Sequence, residues 1–174
     1  MAQIILIYLK NHWLDVVAIV VATSSALIAY MTWNLSYLLT HRPYVWAENF
    51  GYLDQSNRII NPINKVMLKV INSPAETIYQ EYSYYILGEE NKETIEKDTP
   101  TNSIKYPSDK IQYTHAVSKV TRDLANGLKE NEKLIRYIRI EYKWLSSDRK
   151  YFFEGEWEYN SKSEIWDIIY QEAN

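Results

Sequence analysis

Residues 16–40 run for 25 positions without a formal charge, beginning VVAIVVATSSALIAYMTW, before the chain turns polar at His41 and Arg42. A helix of that length reaches about 37 Å at 1.5 Å per residue, which crosses a hydrocarbon core of about 30 Å with some tilt. Trp13 precedes the stretch, and Tyr30, Trp33 and Tyr37 stand toward its far end, where amphipathic rings favour the headgroup level. The pattern predicts a transmembrane helix over 14–40. Residues 1–13 form a short N-terminal segment whose apolar patch, IILIYL at 4–9, either lies along the interface or extends the helix. A cleaved signal peptide is the competing reading, because Ser24-Ser25-Ala26 offers small residues. The apolar run continues through Met31, so an uncleaved anchor fits better.

Within the span, Ala18, Ala22, Ser25, Ala29, Thr32 and Ser36 recur at alternating steps of four and three. A 3.5-residue period places all six on one seam, where small side chains let a second helix approach closely. Membrane helices are rich in Ala, Ser and Thr in any case, so the competing reading is composition alone.

After residue 41 the period shortens to two. Residues 44–53 (YVWAENFGYL), 66–72 (VMLKVIN) and 77–87 (TIYQEYSYYIL) are β-rich, with a turn at Gly88-Glu89-Glu90-Asn91 and prolines between the runs. Tyr79, Tyr82, Tyr84 and Tyr85 occupy both faces of the third run. One face must lie outside the core, so these tyrosines together with Trp46 are the candidate binding surface. Residues 134–145 (LIRYIRIEYKWL) and 150–159 (KYFFEGEWEY) alternate on either side of Ser146-Ser147-Asp148-Arg149 and predict a hairpin. Pairing Leu145 with Lys150 sets Trp144 against Tyr151, Tyr142 against Phe153, Ile138 against Trp157 and Arg139 against Glu156. Gly155 then marks a bulge or room for a neighbouring side chain. Residues 108–128 fit a strand (Ile111, Tyr113, His115, Val117) followed by a short helix ending near Gly127, and 165–170 (IWDIIY) predict a closing strand. About seven strands without sustained βα alternation point to a β-sandwich over 41–174.

Composition narrows the function. The chain of 174 residues has no Cys, which removes disulfide scaffolds and thiolate metal sites. A net charge of −3 argues against a nucleic-acid binder held by phosphate contacts. Residues 43–174 hold 17 Lys plus Arg against 21 Asp plus Glu, an ordinary solvated, mildly acidic domain. Lys10 with the amino group flanks one side of the span, and Arg42 with Arg58 the other. These nearly cancel, so orientation stays open.

The helix followed at once by Arg42-Pro43-Tyr44-Val45, the Asn72-Ser73-Pro74-Ala75 turn, and the late strands IRIEYKW and YFFEGEW resemble a group of uncharacterised prokaryotic single-pass membrane proteins. That group carries an immunoglobulin-like β-sandwich after one membrane helix, often with an N-x-G-x-x-P-A turn, shortened here to NSPA. The resemblance implies a single-pass protein of a prokaryotic cell membrane with a mainly β, immunoglobulin-like domain. It offers no catalytic residues.

Candidate chemistry is sparse. His12, His41 and His115 form no metal-binding spacing, and no P-loop, G-x-S-x-G or G-x-G-x-x-G occurs. No catalytic residue, metal ligand or cofactor is therefore assigned. Glu154, Glu156 and Glu158, with Glu141, offer carboxylates to a hard cation, but alternate strand positions spread them at about 7 Å steps. A solvated face balanced by Arg136, Arg139 and Lys143 is the plainer reading. The expected function is a non-enzymatic, membrane-anchored interaction module whose partners are the bilayer and a membrane or membrane-proximal protein, a second copy included. The alternatives are an envelope receptor for a small molecule or glycan and, last, a membrane-tethered hydrolase.

Overall fold

The structure is a computed structural model describing residues 12–57, 59–89, 91–107 and 113–174. The apolar patch at 4–9 and Ile111 lie outside the described residues. The chain divides between His41 and Arg42 into two units.

The first unit contains α1 (Trp13–His41), a 29-residue helix long and apolar enough to cross a membrane, with none of its residues buried. Its threonine hydroxyls are satisfied within the helix. Thr23, Thr32 and Thr40 donate to the carbonyls of Ile19, Ile28 and Ser36 at 2.8, 2.9 and 2.7 Å, so these hydroxyls need no partner outside the helix. Tyr30, Trp33, Tyr37 and His41 follow one another at steps of three and four. Their rings form a ladder, with centroids 6.4, 5.8 and 4.3 Å apart in turn.

The second unit is mainly β. One antiparallel sheet has the order β1-β4-β8, where β1 is Tyr44–Asn49, β4 Lys65–Ile71 and β8 Tyr113–Ala116. The other has the order β11-β10-β9-β5-β6, built from β5 (Ala75–Leu87), β6 (Lys92–Asp98), β9 (Lys133–Trp144), β10 (Lys150–Asn160) and β11 (Ile165–Ala173). The short β7 (Ile104–Lys105) joins β5 at one end, and β2 (Tyr52–Leu53) pairs with β3 (Ile59–Ile60) separately. Inner residues of both sheets form one core: Val45 and Ala47 from β1, Val66 and Leu68 from β4, and Tyr82, Ile138, Tyr142 and Trp157 from the larger sheet. The arrangement is sandwich-like, with more strands among the described residues than the seven expected. The addition that matters is β6. Its sequence, KETIEKD, lacks an apolar face because it is a charged sheet edge, a common guard against pairing with other chains.

The short helix α2 (Arg122–Asn126) forms where expected. Thr121 caps it by accepting from the Leu124 N–H at 3.2 Å, and Gly127 follows its last residue.

The β9–β10 hairpin forms, but two residues away from the expected register. Tyr151 lies opposite Tyr142, Phe153 opposite Ile140, Gly155 opposite Ile138 and Trp157 opposite Arg136. Arg139 therefore meets Glu154 instead of Glu156. A shift of two preserves every inward and outward assignment, so alternation alone does not distinguish the two registers; the turn decides. Gly155 does make room. A Cβ there would stand 2.8 Å from the Trp157 ring.

Arg136 corrects another expectation. Its even position places it with Ile138 and Ile140 on the core face, fully buried rather than on the solvated face. The guanidinium carbon lies 4.6 Å from the ring centroids of both Trp157 and Trp166, and Nη2 donates to Asn49 Oδ1 at 2.9 Å. Burial lowers its pKa to about 10, with Tyr84 acting in the opposite direction, so the side chain stays charged at neutral pH.

Candidate functional site

The tyrosines singled out on residues 79–85 do not form an exposed strip. Tyr82 and Tyr84 point inward and are fully buried, because alternation after the irregularity between Thr77 and Tyr79 gives the core Gln80, Tyr82 and Tyr84. Burial raises the Tyr84 hydroxyl to about 12 despite Arg136 beside it. Trp46 lies on the outer side of β1, half-buried, with its indole N–H donating to Glu48 at 2.7 Å.

Tyr79 and Tyr85 do lie on the outer face of the large sheet, Tyr79 half-buried and Tyr85 buried under its neighbours rather than exposed, and they meet groups from three further strands. β5 supplies Tyr79, Glu81, Ser83 and Tyr85; β9 supplies Tyr137 and Arg139; β10 supplies Glu154 and Glu156; and β11 supplies Tyr170. Three of the phenols here donate to carboxylates. Tyr79 donates to Glu81, Tyr85 to Glu156 at 2.7 Å and Tyr170 to Glu154 at 2.9 Å. Cations complete the mesh, with Lys97 at 2.9 Å from Glu81, Arg139 at 3.2 Å from Glu154 and 2.8 Å from Glu141, and the Lys92 ammonium 3.6 Å above the Tyr85 ring.

The electrostatics follow from these contacts. Burial alone would raise the Glu81 carboxyl, but hydrogen bonds from Tyr79, Lys97 and Ser83 outweigh it and hold the group below the ordinary carboxylate value. Burial, then the bond to Glu156, raises Tyr85; burial and Glu154 do the same to Tyr170. At neutral pH the phenols of the face are therefore neutral and Glu81 is ionised. A depression of about 280 Å³ lined by Glu81, Ser83, Tyr85, Lys92, Tyr137 and Glu156 opens on it.

This mesh can offer hydroxyls, carboxylates and ring edges to a ligand. Its carboxylates are engaged by neighbours, and no cluster of metal-ligating side chains occurs among the described residues. Sequence reasoning missed Tyr137, Tyr170, Glu81 and the role of Glu154 and Glu156. Alternation had already put Tyr137 and both glutamates on an outward face. What it lacked was strand order, which sets β9 beside β5 and β11 beside β10.

The six seam residues of α1 are helical and exposed, and the Thr32 hydroxyl is committed to its own helix. No family model, curated protein or solved structure matches the chain.

Proposed function

We propose that the chain is a single-pass, membrane-anchored, non-enzymatic interaction module of a prokaryotic cell membrane, presenting an immunoglobulin-like β-sandwich to a protein partner. The observation that carries the reading is the 29-residue apolar helix with no buried residue, followed after Arg42 and Pro43 by a folded β unit. A core helix of a soluble domain would be mostly buried.

Strand order supports the immunoglobulin-like assignment. The sheet β1-β4-β8 parallels the A-B-E strands of that fold, and β6-β5-β9-β10 parallels C′-C-F-G, with β11 added at the outer edge. The Tyr–Glu face of this second sheet is the surface offered to the partner, in keeping with the enrichment of tyrosine at interfaces. Alkaline carbonate should leave the chain in the membrane pellet while detergent releases it; release by carbonate would remove the anchor. A photoreactive side chain at Thr94, beside the Tyr85 depression, should yield a discrete crosslinked band in intact cells, whereas the same group at Glu130 should not. Equal yields at both positions would count against the face.

A receptor for a small molecule or glycan is the second reading, favoured by the depression around Tyr85 and its polar lining. A saturable thermal shift of the detergent-solubilised chain with one sugar, lost on Tyr85→Ala, would select it over the first.

A further inference from the structure

One end of the β unit differs in chemistry from the rest. It is the end at which the chain enters from α1, marked by the pairing of Tyr44 with Ile71, the turn at 72–74, the pairing of Ala75 with both Trp144 and Lys105, and the hairpin turn after Trp144. Among the described residues, four large apolar side chains there are exposed: Ile71, Ile104, Tyr106 and Leu145. An apolar tip contradicts the usual polar composition of turns and marks a surface that something covers.

The same end is cationic. Arg42, Lys105, Lys143, Arg149 and Lys150 stand there against Glu76 and Asp148. Residues 42–174 as a whole carry 18 Lys plus Arg against 21 Asp plus Glu, so this end is cationic within a net acidic unit. Arg42 is held in place, its guanidinium 4.2 Å from the Tyr44 ring centroid and 5.7 Å from that of Tyr151. Glu76, one of the two acids, is already matched by Lys143 at 3.0 Å.

Chain length selects what covers it. Only Arg42 and Pro43 separate α1 from β1, and two residues extend about 7 Å at most. If α1 spans the bilayer, this end is held within reach of the headgroup layer. Exposed Ile, Leu and Tyr side chains beside Lys and Arg are the combination that partitions into an anionic membrane interface.

We infer that the Arg42 end of the β unit docks on anionic lipid headgroups, with Ile71, Ile104, Tyr106 and Leu145 entering the interface and Arg42, Arg149 and Lys150 pairing with lipid phosphates. The inference rests on the membrane-anchored reading and adds a bound surface to it. Docking holds the β unit against the bilayer instead of leaving it free on its two-residue tether.

The absence of Cys makes the test direct. The full chain carrying Leu145→Cys, or Leu87→Cys at the opposite end, is labelled with an environment-sensitive fluorophore and reconstituted in phosphatidylcholine vesicles with and without phosphatidylglycerol. Nitroxide-headgroup lipid should quench the label at 145 and spare the one at 87. Quenching should be stronger with phosphatidylglycerol and should weaken with added salt and with Arg149→Glu plus Lys150→Glu, each lost cation lowering the docked fraction ratio by about fivefold. Equal quenching at 145 and 87, or quenching at 145 indifferent to lipid charge and to the double reversal, overturns docking while flotation of the chain with the vesicles leaves the anchor standing. A chain that fails to float overturns both.

Discussion

A guanidinium between two indole faces offsets part of its lost hydration with π-electron density and one amide oxygen, while Nε and Nη1 of Arg136 are buried without a hydrogen-bond partner. Replacing one buried charge by an apolar chain of similar length relieves desolvation, so Arg136→Met should leave stability unchanged or raised, whereas Arg136→Ala opens a cavity and should cost about 3 kcal/mol. Chemical denaturation of the two variants against the parent checks both. Trp157→Ala should cost about 3 to 5 kcal/mol, and Gly155→Ala about 1 to 3 kcal/mol because its new methyl meets the Trp157 ring. His115 adds a pH dependence. It stacks on Tyr82 with centroids 3.8 Å apart and approaches Asp98 at 3.4 Å. Burial lowers its pKa, against the opposing pull of Asp98 and Glu96, while Lys105 acts with burial. Because the folded value lies below the unfolded one of about 6.5, its contribution is complete above that pH and is lost as the pH falls through it toward the folded value. The melting temperature should decline below about pH 6.5, and His115→Phe should flatten that part of the profile. An unchanged slope in the variant would assign the decline to other groups.

Among the elements, the β9–β10 hairpin shows where pattern reading stops. Alternation identified both strands and assigned their faces, yet a register two residues away satisfied the same alternation. β6 shows the opposite case, a strand with no apolar period whose existence depends on β5 beside it. α1 was legible because 25 uncharged, largely apolar residues make a helix long and apolar enough to cross a membrane. If its small-residue seam mediates association, Ala22→Leu with Ala29→Leu should lower self-association of the span in a membrane two-hybrid assay. An unchanged signal, or no association of the parent span, would end that idea.

For the whole molecule, if α1 spans a membrane, orientation sets the compartment of the β unit, and protease digestion of a C-terminal tag in intact against lysed cells reads it directly. Digestion in intact cells places the Tyr–Glu face outside the cell; protection until lysis places it in the cytoplasm. The sequence by itself determined the apolar helix, the mainly β unit after it, and the inward set of Trp144, Trp157, Ile138 and Ile140, because each depends only on local period and on burial of apolar side chains. Tertiary structure alone decided which strands lie side by side. That order buried Tyr82 and Tyr84, gathered Tyr79, Tyr85, Tyr137 and Tyr170 with the glutamates on one face, and brought the cations and exposed apolar residues of four separate segments to the Arg42 end. Alternation fixes which side of a strand a residue takes and carries no information about its neighbour across the ladder, which long-range packing sets.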